Sequence, residues 1–341
     1  MSELPPIPFC DLRGGTPLDL LKAHEGTALA LASAAVNTFG FASRAAAAAL
    51  MPAGDRASRA WLARTDNPHL DEIDAMAAQL GIRGVYFLNA IFEWGCTSGV
   101  WRAEDGPTMH RVLDWGFPDL GSHMVVALQS GGAGNFYNVT WPGLAGSFNG
   151  FAPGRFACAI NQAPMRMHKR GMVGDWVKNR LAVRAGIGMP PAHLLRQVLE
   201  TAPDYAAAKG MLTKTRLAVP AIFILSGVHA DEGCVIERSE DAAGIRPLEG
   251  ASVCVANHFE SQLDRTGIGW RPRPIDSAGR VACARCLCDD EFATDFGWFK
   301  PPIANGNSRL AFNANAATGA FVLMGTAGMQ PATRIFRLPM N

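Results

Sequence analysis

Two textures divide the chain. Over residues 18–50, 55–64 and 69–80, Ala and Leu recur at helical spacing. In "HLDEIDAMAAQLGI" the residues Ile73, Met76, Ala77 and Leu80 share one face, Asp71 and Glu72 sit near the start, and Gly81 marks the end. The stretch before Tyr86 therefore reads as mostly helical. After it come short apolar runs bounded by Gly, Asn and Pro: "HMVVALQS", "GNFYNVTW", "RFACAINQ", "AIFILSGV", "GCVIERS", "ASVCVANHF", "RLAFNANAATGAFVLMGTAG" and "ATRIFRL". Their alternation and β-rich content predict strands of antiparallel sheets. Helical spacing returns in "PPAHLLRQVLETAPDYAAAKGML", through Leu194, Leu195, Val198 and Leu199, and over 278–293. No repeat or low-complexity linker intervenes, so the pattern predicts a single layered domain of sheets flanked by helices.

Composition changes this picture little. At 341 residues and 48% hydrophobic, the chain can bury a large core. Lys and Arg number 31 against 30 Asp and Glu with no run of like charge, which argues against a nucleic-acid or acidic-lipid partner and for a small molecule. The opening "MSELPPIPFCDLRGG" lacks the basic and apolar regions of a signal peptide, and "GTALALASAAVNTFGFAS" (26–43) is too rich in small and polar residues for a good membrane span. The expectation is a cytoplasmic protein with no stable membrane span.

Eight cysteines without a signal peptide do not suggest a disulfide framework, and most are expected to be reduced, buried small hydrophobes. "CARCLC" (Cys283, Cys286, Cys288) has no second CxxC, and His258 is only a conceivable fourth ligand, so buried thiols on a helix are expected and no metal. "GGAGN" (131–135) fits no phosphate-binding pattern and predicts a tight hairpin. No cofactor is implied.

The Gly95–Cys96 junction carries the chemistry. A catalytic thiol needs a partner that holds it as thiolate or takes its proton, commonly a histidine; the nearest downstream is His110, outside any papain-like or caspase-like signature. Cleavage before Cys96 offers an alternative. The new α-amine, with an ordinary pKa of about 7.7–8.0, would serve the cysteine as its own general base. Gly95 leaves room for the Cys96 sulfur to attack its carbonyl and tolerates a strained backbone there. An N-to-S shift and hydrolysis would then yield fragments 1–95 and 96–341. On residues alone, a buried inert cysteine stands beside this option.

The stretch "LDEIDAMAAQLGIRGVYFLNAIFEWGCTSGVWRAEDGPTMHRVLDW" resembles the processing site of the acid ceramidase and N-acylethanolamine acid amidase family, in its acidic helix, "LN", "CTS" and R-x-x-D-W. That family is related to penicillin acyltransferases and choloylglycine hydrolases within the N-terminal nucleophile hydrolases. "NGFAPGRFACAINQ" and the pair "GCVIER" and "VCVANHF" resemble further family strands, so the similarity covers roughly 65–280.

The resemblance implies an α+β fold, a four-layer αββα sandwich of antiparallel sheets, with a helical fragment 1–95 and a catalytic fragment 96–341 that associate. Homo-oligomerisation stays open. It implies hydrolysis of a linear amide, an N-acyl amine or amino acid conjugate, through a Cys96 thioester. The alternatives are acyl transfer to an amine, or an unprocessed chain that binds without catalysis. By resemblance Cys96 is nucleophile and, through its α-amine, base; Asp114 contacts that amine; Arg111 favours thiolate and substrate; Asn257 forms the oxyanion hole. Where relatives carry Glu after the matching Asn, this chain has Asn161 and Gln162, so a role needing a carboxylate there is lost or moved. A later site arginine is Arg271, Arg273 or Arg280, with Arg280 favoured by "DSxxR". Trp115 and Trp141, with Phe92, Trp94 and Trp101, suit an acyl group.

Overall fold

The computed structural model describes residues 3–38, 44–65, 67–90, 95–117, 119–263, 269–272, 276–292 and 294–339. Its β-rich runs assemble into two large sheets. One holds, in spatial order, Phe9–Asp11, Val125–Gly131, Gly134–Thr140, Asn149–Ala152, Phe156–Gln162, Ala221–Ser226, Gly233–Arg238 and Ala243–Pro247. The other runs Ser252–Val255, Gly95–Ala103, Gly106–Asp114, Ser308–Asn315, Ala320–Ala327 and Gln330–Pro331, with Phe336–Leu338 also pairing Ala320–Ala327. Neighbours are antiparallel except that Phe9–Asp11 runs parallel to Val125–Gly131.

The sheets lie face to face, and the alternation of side chains along each strand divides inner from outer residues. On Gly95–Ala103, Cys96, Ser98 and Val100 point between the sheets, where Cys96 and Val100 join the main core and Ser98 bonds Asn161 of the opposing strand. Thr97 and Trp101 point outward, to Arg280 and Phe292. Helices close both outer faces. Pro191–Thr201 lies against the first sheet with Leu194, Leu195, Val198 and Leu199 fully buried, each worth about 1.5–3 kcal/mol of transfer free energy. Ser277–Arg285 covers Ser252–Val255 and Gly95–Ala103. The result is the four-layer αββα arrangement.

The N-terminal helices, among them Pro17–Ala23, Arg44–Leu62 and Leu70–Leu80, build a second cluster around Leu21, Leu62, Ile73 and Met76. Gly81 caps Leu70–Leu80 at φ 59°, a left-handed conformation that glycine adopts at little cost. Polar bonds tie this layer to the rest: Glu72 pairs with Arg196 at 2.8 Å, Asn67 Nδ2 lies 2.8 Å from His193 Nδ1, and Asn89 bonds Gly143 and Ala145.

Three features depart from or add to the sequence reading. Helix Gly171–Ala185 carries no clear sequence signal, because its apolar residues Met172, Val173, Trp176, Val177 and Leu181 face outward rather than into a core. The segment 278–293 divides into Ser277–Arg285 and Asp289–Phe292. Cys286 and Cys288 are exposed and Cys283 half-buried, since the helix ends at Arg285 and its last turn leaves the core. All eight thiols are free, and among the described residues no three His, Cys, Asp or Glu side chains cluster as metal ligands. Among the described residues no helix is long and apolar enough to cross a membrane.

Candidate active site

Cys96 stands second in its strand, paired across the ladder with Leu113, while Gly95 pairs with Asp114. Gly95 is extended rather than left-handed, so backbone strain is not why glycine stands there. A Cβ at Gly95 would sit 3.2 Å from Asp114 Cβ; close approach of the neighbouring strand is the reason.

Cys96 is gripped from both faces of its sheet. On the inner side Arg111, two positions along the adjacent strand from the partner of Cys96, donates from Nη2 to Cys96 Sγ at 3.1 Å and to the Ile160 carbonyl at 2.7 Å. Its Nη1 donates to Asn161 Oδ1 at 2.5 Å and Ser98 Oγ at 3.1 Å. Asn161 is in turn anchored by its amide to the Ala256 carbonyl at 3.0 Å. On the outer side Arg280, from helix Ser277–Arg285, reaches the Cys96 carbonyl at 2.5 Å, Thr97 Oγ1 at 3.0 Å and Asp114 Oδ2 at 3.2 Å. Ser308 Oγ donates to the other Asp114 oxygen at 2.8 Å.

Asn257 follows strand Ser252–Val255. Its Oδ1 accepts from the Cys96 backbone N–H at 3.0 Å and from Arg280 Nη2 at 2.8 Å, while its Nδ2 donates to the Gln162 carbonyl at 2.8 Å. Two donors on one atom and an acceptor facing the other fix the orientation of the amide.

All of these charged groups are buried, which fixes the electrostatics. Arg111, Arg280 and Asp114 are all fully buried beside the Cys96 thiol. Burial pushes the Cys96 thiol up to about 11, with Arg111 and Arg280 pulling the other way. Burial also pushes Asp114 up, against the pull of Arg280, and both guanidinium groups down.

The structure thus brings Cys96, Arg111, Asp114, Asn161, Asn257 and Arg280 together. Of the other arginines considered, Arg271 pairs with buried Asp175 at 3.1 Å, and Arg273 lies outside the described residues. Trp115, next to Asp114, and Trp141 line an apolar pocket with Leu31, Leu88, Phe117 and Phe148. Trp101 does not join them; it stacks on Phe292 on the outer face of the sheet, 5.1 Å between centroids, because odd positions of its strand point outward. Phe92 and Trp94 lie outside the described residues. The Gln162 side chain lines a separate pocket with Trp176 and Arg180.

Sequence reading missed the hydroxyls: Ser98, Thr97, Ser308 and Ser277, whose Oγ accepts from Asn257 N at 2.8 Å. Thr97 and Ser98, inside "CTS", and Ser277, inside "DSxxR", stood in quoted motifs; Ser308 carried no local signal.

His110 faces away from Cys96. Its ring packs on Phe292 and Trp298, and a Cβ built on Gly99 would lie 2.7 Å from His110 Nε2 and 2.9 Å from Cys254 Sγ, so imidazole and thiol are neighbours. Burial depresses His110 to about 4, and neither ring nitrogen has a hydrogen-bond partner among the described residues.

No family model matches the chain. It is 33% identical over 130 residues to acid ceramidase of Heterocephalus glaber, covering 37% of this chain and 31% of that one. It is 26% identical over 231 residues to N-acylethanolamine-hydrolyzing acid amidase of Cavia porcellus, covering 64% and 61%. The chain therefore spans from about a third to three fifths of the length of these curated relatives. Among solved structures, the Caenorhabditis elegans N-acylethanolamine-hydrolyzing acid amidase ortholog aligns with a TM-score of 0.51 at 17% identity, over 65% of this chain and 93% of that one. That likeness shows a shared N-terminal nucleophile hydrolase fold, the αββα sandwich.

Proposed function

We propose that the chain is a cysteine N-terminal nucleophile amidohydrolase, which cuts itself between Gly95 and Cys96 and then hydrolyses a linear amide through a thioester on Cys96. One observation carries this reading: Arg111 on the Cys96 sulfur and Asn257 on its backbone nitrogen hold the two atoms that would become nucleophile and base.

In self-cleavage the sulfur attacks the Gly95 carbonyl carbon, the C–N bond breaks as the Cys96 nitrogen takes a proton, and water hydrolyses the thioester. Residue 95 keeps the carboxylate and Cys96 gains a free amine. Asn257 Oδ1, which already accepts from that nitrogen, then orients the amine, and Asp114 with Arg280 sets the charge beside it. In catalysis the amine takes the thiol proton as sulfur attacks the substrate carbonyl, and returns it to the departing amine. Water repeats the sequence on the thioester. Arg111, buried beside the sulfur, compensates the thiolate. Asn257 Nδ2 gives one hydrogen to Gln162; its second is the donor for the developing oxyanion, a contact whose loss typically costs about 10²–10³ in rate.

The apolar pocket of Trp115, Trp141, Phe117 and Phe148 fits an acyl chain or aromatic acyl group, and curated relatives named as a ceramidase and an N-acylethanolamine-hydrolyzing amidase support an N-acyl amine as substrate. Fragment 1–95 stays docked after the cut through Glu72–Arg196, Asn67–His193 and the Asn89 bonds.

Intact mass under denaturing conditions tests the reading. Wild type should resolve as two polypeptides breaking between Gly95 and Cys96, and Cys96→Ala as one; a single chain in both overturns it. Cut enzyme that releases no amine from any of a panel of N-acyl amines would overturn the substrate class alone.

A further inference from the structure

Asn257 is held twice by the same helix. Its side chain bonds Arg280, and its backbone N–H donates to Ser277 Oγ at 2.8 Å, three residues earlier on Ser277–Arg285. The Ser277 oxygen has a second neighbour, His258 Nδ1, at 2.7 Å. The other ring nitrogen, Nε2, lies 3.5 Å from Glu260 Oε1.

Proton counting fixes how this line is wired. A serine hydroxyl has one hydrogen to give. With a lone pair taken by Asn257 N–H, Ser277 can give its hydrogen only if Nδ1 of His258 is bare. The ring proton on Nε2 then faces Glu260 Oε1, 3.5 Å away.

The line runs from solvent to the buried site. The His258 side chain is about 20% exposed, whereas Ser277 and Asn257 are buried. The charged groups around it belong to one network: Glu260 also receives Arg246 at 3.0 Å and Arg285 at 2.5 Å, and buried Glu237 holds Arg246 and the backbone N–H groups of Glu260 and Ser261. Glu260 is thus fixed in place, and it faces the His258 ring from the side opposite Ser277.

We propose that His258 is a positioning residue: held by Glu260, it locks Asn257 through Ser277 in the pose that serves Cys96. This rests on the amidohydrolase reading. It also makes Glu260 a positioning partner rather than a surface charge.

The experiment measures kcat and KM of the self-cut enzyme on an N-acyl amine for wild type, His258→Ala, His258→Gln and Ser277→Ala. His258→Ala should lower kcat roughly tenfold to a hundredfold with KM nearly unchanged, as expected of a displaced catalytic group. His258→Gln, whose amide oxygen can accept the Ser277 hydroxyl, should recover most of kcat. Ser277→Ala should lower kcat as His258→Ala does. Wild-type kcat in soluble, cut Ser277→Ala overturns the proposal, and does so even if His258→Ala fails to fold. A wild type that is uncut or inactive would sink the amidohydrolase reading instead, so the two failures are distinguishable.

Discussion

Cys96 and Cys254 occupy opposite faces of one sheet and differ in almost nothing that a thiol reports by itself. Both are fully buried, and burial pushes each up to about 11. By habit Cys254 would be the nucleophile, because an imidazole lies beside it. Yet His110 is shut between Phe292 and Trp298 and held neutral, and the Cys254 thiol bonds Ser252 Oγ at 3.8 Å. Cys96 has no imidazole and instead has a guanidinium on its sulfur, an amide oxygen on its nitrogen and a second guanidinium on its carbonyl. What separates them is convergence on the backbone atoms of one residue, and that identifies which bond can be made and broken.

The contrast can be broken most directly by exchanging the two cysteines' fates. Cys96→Ala should abolish self-cleavage and lower amide hydrolysis by about 10⁴–10⁶-fold, whereas Cys254→Ala should self-cleave normally and keep kcat/KM within about twofold; intact mass and initial rates read both. Equal losses in the two variants would end the distinction.

A smaller effect sharpens it. Arg111→Lys keeps the charge but cannot span Cys96 Sγ, Asn161, Ser98 and the Ile160 carbonyl together. Activity should fall about 10²–10³-fold, and alkylation of Cys96 by iodoacetamide should slow at a given pH. Unchanged alkylation would remove Arg111 as the group that favours thiolate.

The smallest effect lies on the other face. His110 is depressed to about 4, so its contribution to stability is intact above the unfolded value near 6.5 and is lost as pH falls from there toward 4. Between pH 7 and 5 that amounts to about 2 kcal/mol. His110→Phe should cancel this part of the slope, and at pH 7 should gain about 1 kcal/mol because two unpartnered ring nitrogens are gone. Thermal melts at both pH values check it, and catalysis should be unaffected.

The strands were legible because inner and outer residues alternate along them, and "GGAGN" reads correctly as a hairpin between Gly131 and Gly134. Helix Gly171–Ala185 was not, since nothing in its pattern distinguishes an inward face. Nor was strand Phe9–Asp11, which is three residues long and exists by pairing with Val126–Leu128, more than a hundred positions away. At the site, the local run from Gly95 to Asp114 carried Cys96, Arg111 and Asp114, all within one hairpin. Choosing Arg280 over Arg271, or seeing that Asn161 braces Arg111, required knowing which helix and strands meet in space. Trp101 went astray for a simpler reason: its apolar ring was counted without the parity of its strand.

The Phe9–Asp11 edge strand lies on the far side of the Gly95–Cys96 bond from the sheet it completes. Once that bond is cut, the ladder ceases to be an internal contact and obeys mass action: a closed chain holds its edge strand at an effective concentration set by its own length, whereas a two-piece molecule holds it as a bound peptide that dilution can remove. The melting temperature of cut protein should therefore climb with protein concentration, while that of uncut Cys96→Ala stays level.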